Sequence, residues 1–103
     1  MSRTKRQARA TWRRTRKRIW ERDRGKCQGP YCVATLPYSL PLWRADIDHI
    51  VELSRGGDNS DRNLRTLCRR CHVLRASQAH QGMVARALRD ELIPADWRSL
   101  VWE

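Results

Sequence analysis

The 103-residue chain has no phenylalanine, no apolar run long enough to cross a membrane and no internal repeat. The first absence leaves five tryptophans among few other large apolar groups. Trp12, Trp20 and Trp43 are expected in the core, whereas Trp97 and Trp102 are open to closing that core or facing a partner. The second absence excludes a membrane-spanning helix, and Met1–Lys26 also lacks the apolar middle of a signal peptide, so a cytoplasmic protein with no membrane partner is expected. The third excludes a stacked repeat array.

Acidic residues are scarce at the start of the chain. In Met1–Lys26, twelve Lys and Arg residues stand against Glu21 and Asp23 alone, which accounts for +10 of the net charge of +11. Such an asymmetry is the footprint of a polyanion binder, because each phosphate neutralised releases condensed counterions. Arginine outnumbers lysine, and its planar fork suits phosphate oxygens. A solvated tail and an acidic membrane surface are the alternatives, but no apolar face for membrane insertion accompanies the charge. Nucleic acid is therefore the expected partner.

A chain this short forms one domain and buries little apolar surface, so a covalent or metal staple is expected. Its four cysteines fall in two close pairs, Cys27 with Cys32 and Cys68 with Cys71. Close pairs point to a metal before disulfides, and four soft thiolates are what a tetrahedral structural Zn2+ requires. Two disulfides would need an oxidising compartment. Short spacers let each pair close on the metal with little loss of chain entropy, and the long insertion becomes a loop clipped at its base.

Periodicity places the remaining elements. Residues 1–7 are read as a disordered basic tail. A helix is expected from Ala8 to about Arg24, with Ala8, Trp12, Ile19 and Trp20 near one side and Arg13, Arg14, Arg16, Lys17 and Arg18 around the rest, ending at Gly25. Prolines and Gly29 make Gly29–Pro41 a connector, with Tyr38 and Leu40 pinned to the core. Leu42–Asp48 alternates as a half-buried strand does, with Trp43, Ala45 and Ile47 on one face. Arg55–Asn59 is a loop and Leu64–Leu67 a second strand. From His72 to about Leu92 the chain suits a helix, weakened near Gly82, where a break is admissible, and stopped at Pro94. The domain proper thus covers residues 8–92, and 93–103 form a C-terminal tail.

The chemistry-bearing stretch runs Asp48-His49-Ile50-Val51-Glu52-Leu53-Ser54-Arg55-Gly56-Gly57-Asp58-Asn59, then Asn63-Leu64, then Leu67-Cys68-Arg69-Arg70-Cys71-His72. From about Trp12 to Arg75 the chain resembles the HNH endonucleases, small ββα-metal nucleases of bacteria and their phages. The resemblance implies an α+β domain with the ββα-metal (His-Me finger) fold, carrying here an N-terminal basic helix and a structural zinc site. It also implies metal-dependent hydrolysis of DNA phosphodiester bonds, in the host cytoplasm if the chain is phage-encoded.

The residue types suit that chemistry. Asp48 and His72 can hold a divalent ion and leave most of its coordination sphere to water and phosphate oxygens. Mg2+ or Mn2+ is expected there, and Ni2+ or Zn2+ also suits an Asp-plus-His pair. His49, with an ordinary pKa of about 6.5, is the natural general base. Asn63 is expected to fix the loop between the strands through backbone hydrogen bonds, an ordinary turn asparagine being the alternative. Arg13, Arg14, Arg16, Lys17 and Arg18 are the expected phosphate contacts, and the resemblance, in which a basic residue often stands one turn beyond His72, adds Arg75, a solvated arginine being the alternative. His80 lies outside the pattern. Two departures stand out: four residues separate Cys27 from Cys32 where the family often has two, and Glu52 takes the place of a frequent proline. The rival readings are a non-catalytic zinc-knuckle nucleic-acid-binding protein and an accessory that cuts only beside a phage packaging or recombination partner.

Overall fold

The arginine-rich first helix, α1 (Arg9–Arg22), has no side-chain N-cap and no acidic residue in its first turn. Its stability comes from the two side chains it buries, Thr15 and Ile19, rather than from its own composition. The Thr15 hydroxyl donates to Gln7 Oε1 at 2.7 Å, which ties the preceding segment to the helix. The helix stops because Arg24 and Gly25 adopt φ of 56° and 67°, and the Gly25 amide returns to the Trp20 carbonyl. A Cβ on Gly25 would lie 2.9 Å from the Leu40 carbonyl oxygen, so the left-handed turn and the close approach both require glycine.

These features come from a computed structural model that describes residues 5–32, 39–75 and 81–103. Tyr38 and His80 lie outside the described residues. After α1 come β1 (Asp46–His49), β2 (Leu64–Leu67), α2 (Arg69–Leu74) and α3 (Gln81–Arg89), with single 3-10 turns between and after them. The two strands are antiparallel, pairing Asp46 with Leu67, Ile47 with Thr66, Asp48 with Arg65 and His49 with Leu64.

Two elements differ from their expected extents. The strand expected over Leu42–Asp48 is a 3-10 turn at Leu42–Arg44 followed by β1. Arg16 braces the turn by donating to the carbonyls of Leu42 and Ala45, both at 3.0 Å. Trp43 is consequently 76% exposed instead of lying in the core. The helix expected from His72 begins earlier, at Arg69, and ends at Leu74. Its start is capped by the Cys68 sulfur, which accepts the Cys71 amide. Its end is set by Arg75, which turns to extended backbone and bridges to Trp102. The break therefore falls at Arg75, and Gly82 lies within α3.

Three small apolar clusters hold these elements together. Ile19, Ile47 and Leu64 join α1 to the sheet, with half-buried Trp12 at the margin. Leu40, Ala45 and Leu67 pack with the cysteines, against Trp20 and Trp102. Val73, Leu74, Ala87 and Ile93 pack α2 on α3, with Trp97 and Leu100 against them. The segment after Pro94 thus contributes to the core, and the Trp102 indole donates to the Cys71 carbonyl at 2.8 Å.

Candidate active site and metal centre

The segment after α1, the two strands, the loop between them and α2 bring two groups of side chains together. The first group is the four cysteines. Their sulfurs all lie within 4.8 Å of one another, with Cys32 and Cys68 at 3.4 Å and Cys32 and Cys71 at 3.6 Å. No disulfide forms. Tetrahedral zinc with bonds of about 2.3 Å sets its ligands roughly 3.8 Å apart, so the cluster fits a zinc knuckle. Backbone amides of Gly29 and Cys68 donate to the Cys27 sulfur, and the Cys71 amide to the Cys68 sulfur, as negatively charged sulfurs require.

The four thiols strongly perturb one another. Hydrogen bonds from Cys27 and Cys71 pull Cys68 down to about 2, while burial pushes Cys32 up to about 12. Packed this tightly, the sulfurs cannot all ionise without a positive charge among them. The unusual spacing of the first pair is explained by Gly29. A Cβ there would stand 2.6 Å from Cys71 Cβ, so the longer loop passes over Cys71 only because this residue is glycine.

The second group lines a groove of about 690 Å³. Asp48, His49 and His72 all face it, and Arg6, Arg9 and Trp12 from the start of the chain form part of its wall. His49 shares the groove with its neighbour Asp48 because it is the last residue of β1, where the chain bends away. Lys5–Gln7, read from sequence as part of a loose tail, are placed beside this site: the Lys5 carbonyl accepts from the Asn59 amide at 2.8 Å.

Asp48 is 3% exposed, and its Oδ1 lies 3.6 Å from His72 Nε2. Two ligands of one divalent ion, with bonds of about 2.1 Å, stand roughly 3 to 3.5 Å apart. The pair stands about 0.1 Å outside that interval, close enough for a small shift to bring both onto one ion, and the acid and imidazole are a donor set suited to one. His72 Nδ1 is 2.9 Å from Asp46 Oδ2, an outer carboxylate that fixes which imidazole nitrogen faces the groove. Asp48 is also held by guanidiniums. Arg65, its partner across the sheet, bonds Oδ2 at 3.0 Å, and Arg75 bonds Oδ1 at 2.8 Å.

Arg75 is deeply committed. It is 8% exposed and reaches Asp48, Glu103 and the carbonyls of His49 and Ile50. Glu103 meets Arg65 through both oxygens, at 2.9 and 2.8 Å. Those hydrogen bonds hold its carboxyl down to about 2.

His49 is fixed on two sides. Trp12 stacks on its ring with centroids 5.4 Å apart and 9° between planes, and Asn59 Oδ1 lies 2.9 Å from its Nε2. Asn63 lies beyond the groove and stitches the loop between the strands. It donates to the carbonyls of Val51 and Asp58 at 3.0 and 2.7 Å, and it accepts the Val51 amide at 2.9 Å.

The basic residues of α1 divide. Arg16 holds the Leu42–Arg44 turn, Arg18 pairs with Asp61 at 2.9 Å, and Lys17 lies 4.0 Å from Glu21. Arg13 and Arg14 are exposed.

Sequence reasoning missed Asp46, Asn59, Arg65 and Glu103. For Asp46 a signal existed: it stands two residues before Asp48 and so on the same strand face. The others meet their partners only through the tertiary fold.

Residues 27–78 match the family model described as HNH endonuclease. The chain belongs to the HNH endonuclease family. The strands β1 and β2 and the helix α2 are accordingly the ββα-metal element of that family, with the four-cysteine knuckle at its base. No curated protein and no solved structure matches the chain at a significant level. Among the described residues, no helix is long and apolar enough to cross a membrane.

Proposed function

We propose that this HNH protein is a metal-dependent DNA endonuclease in which His49 is the general base and Asp48 and His72 hold the catalytic ion. The observation that carries the reading is the convergence of these three side chains on one groove, with Asp48 Oδ1 and His72 Nε2 separated by 3.6 Å. When bound, a divalent ion such as Mg2+ or Mn2+ supplies positive charge against the crowded phosphate and the departing oxygen.

The chain's own residues do the rest. His49, at the end of β1, takes a proton from the attacking water as the P–O bond forms. Asp46 keeps His72 turned toward Asp48. Arg6 and Arg9 on the groove wall, with exposed Arg13 and Arg14 along α1, offer cations to the flanking phosphates. Arg75 is assigned the part of holding Asp48, because its guanidinium already serves four acceptor groups within the protein. The knuckle is assigned to structural Zn2+, which closes the fold beneath the groove.

The guanidiniums on both oxygens of Asp48 favour a second reading. In it the same cluster is a structural ion-pair network, and the protein is a zinc-knuckle binder of nucleic acid that does not cut. Conversion of supercoiled plasmid by the zinc-loaded protein, with added Mg2+ or Mn2+, separates the two. Nicking that needs metal and disappears in a folded His49→Ala variant is the expected result. Retained DNA binding with no cleavage under any divalent metal overturns the enzyme reading in favour of the binder. Cleavage that begins only on adding a phage packaging or recombination protein assigns the accessory role.

A further inference from the structure

We infer that Asn59 is the positioning residue for His49, fixing the imidazole as its Nε2–H tautomer so that Nδ1 is the nitrogen that receives the proton. The inference rests on the nuclease reading for its consequence but on geometry for its content.

An asparagine amide can be turned either way, and its neighbours decide which. Here the Nδ2 group donates to the Lys5 carbonyl at 2.8 Å, and a backbone carbonyl can only accept. Oδ1 must then point at His49 Nε2, 2.9 Å away, and an amide oxygen likewise can only accept. The hydrogen between them therefore belongs to the imidazole. In a neutral imidazole one nitrogen carries the proton and the other the lone pair, so Nδ1 is left as the base. Among the described residues, Nδ1 has no hydrogen-bond partner.

The ring's remaining freedom is rotation about its Cβ–Cγ bond. Trp12, stacked at 9° from parallel, removes it. The base is thus held by α1 on its face and by Asn59 on its edge. Asn59 in turn is held by the segment leading into α1, which Gln7 fastens to Thr15. The hydrogen bond from Nε2 to Asn59 and a flat stack leave one direction for proton transfer, which is what a general base needs before its proton affinity matters.

The test reads the tautomer first, independently of cleavage, and the rate second. In the full-length zinc-loaded protein with 15N-labelled histidine, long-range 1H–15N correlations in alkaline solution report which nitrogen of each ring carries the proton. The His49 signals are identified by their loss in His49→Ala. The Nε2–H form is expected for wild type, and an Nδ1–H form overturns the proposal with no variant involved. In Asn59→Leu the His49 signals move toward a mixture of tautomers, and kcat falls about tenfold to a hundredfold with KM and Mn2+ affinity unchanged. Asn59→Asp keeps an oxygen facing Nε2 and restores the tautomer, although it loses the donor to the Lys5 carbonyl. An Asn59→Leu protein with wild-type tautomer and wild-type kcat overturns the assignment. If wild type shows the Nε2–H form yet cuts no DNA, the tautomer assignment is upheld and the nuclease reading alone fails.

Discussion

His72 Nδ1 lies 2.9 Å from Asp46 Oδ2, so the imidazole that faces Asp48 is held from behind by a carboxylate on the same strand. Asp46 and Asp48 stand two residues apart on β1 and flank His72 on α2, one at each ring nitrogen. Where a histidine holds a metal, as proposed for His72, a carboxylate on its other nitrogen fixes ring orientation and raises the basicity of the ligating nitrogen. Removing the charge and the hydrogen bond with Asp46→Ala is expected to weaken Mn2+ binding about 10- to 100-fold. Calorimetric titration of the zinc-loaded variant with Mn2+ checks it, with zinc content as the control for folding. Unchanged Mn2+ affinity would show that His72 needs no support or is no ligand.

The knuckle leads to a second prediction. Apparent zinc affinities in four-ligand sites correspond to about 10 kcal/mol or more, as large as the whole stability of a typical domain at roughly 5 to 15 kcal/mol. Cys71→Ser is expected to abolish stoichiometric zinc and the cooperative thermal transition together. Gly29→Ala should do part of the same, since its Cβ would fall 2.6 Å from Cys71 Cβ and force the loop away from the sulfur. Metal analysis beside thermal melts, with and without a chelator, decides it. A Gly29→Ala protein with wild-type zinc affinity would show that the loop can pass Cys71 with a side chain present.

What was legible in the sequence was what depends on local pattern. Leu64–Leu67 is the strand its apolar residues announced, because Leu64, Thr66 and Leu67 are all buried and its register is set by that burial. The paired cysteines announced one cluster because each pair closes locally. Asp48, His49 and His72 were legible as residue types at family intervals, and the fold brings them to one groove. Trp43 was misplaced because alternation takes no account of Arg16, whose two hydrogen bonds brace a turn where a strand was expected. The helix after Cys71 was overextended for a similar reason. Arg75 leaves it to reach Asp48 and pair with Trp102, neither of which helical propensity can sense. Glu103 shows the same gap: its two guanidinium partners lie 38 and 28 residues away along the chain.

Asn63 carries a third prediction. Its side chain makes three backbone hydrogen bonds across the loop, two to Val51 and one to Asp58. Asn63→Ala leaves those groups without their partner and should cost about 1 to 3 kcal/mol. Asn63→Asp should be worse, because it sets a carboxylate against two carbonyl oxygens that now receive donors. Hydrogen exchange at the Val51 amide reads the effect directly. Protection at Val51 that survives Asn63→Ala would assign the loop's order to Gly57 and the 3-10 turns instead.

Glu103 supplies a pH-dependent prediction. Its hydrogen bonds with Arg65, and then with Arg75, hold its carboxyl at about 2 against an ordinary value of 4.5. A depressed folded-state pKa means the carboxylate adds stability that is complete above about pH 4.5 and is lost as pH falls toward 2. The side chain is 41% exposed, so solvent reduces the gain, and about 1 kcal/mol is expected for the pair of contacts. Thermal melts of wild type and Glu103→Gln should therefore differ at neutral pH and converge on acidification. A difference that stays constant with pH would show that the contribution is packing rather than charge.

Arg13 and Arg14 make the last test. Both are exposed on α1, whereas Arg16 and Arg18 on the same helix are engaged with the Leu42–Arg44 turn and with Asp61. If the outer face of α1 follows the phosphate backbone, each of the two neutralises about one phosphate, and their loss should reduce the slope of log K against log salt by about 2. The weakening should be the same for unrelated sequences, because phosphate contacts carry no base information. Arg16→Ala should behave differently: it frees the carbonyls of Leu42 and Ala45, lowers thermal stability and disturbs the start of β1. Binding isotherms on random and homopolymeric duplexes over a range of salt concentrations check both. An unchanged slope for Arg13→Ala/Arg14→Ala would move the phosphate path from the outer face of α1 to the groove wall formed by Arg6 and Arg9.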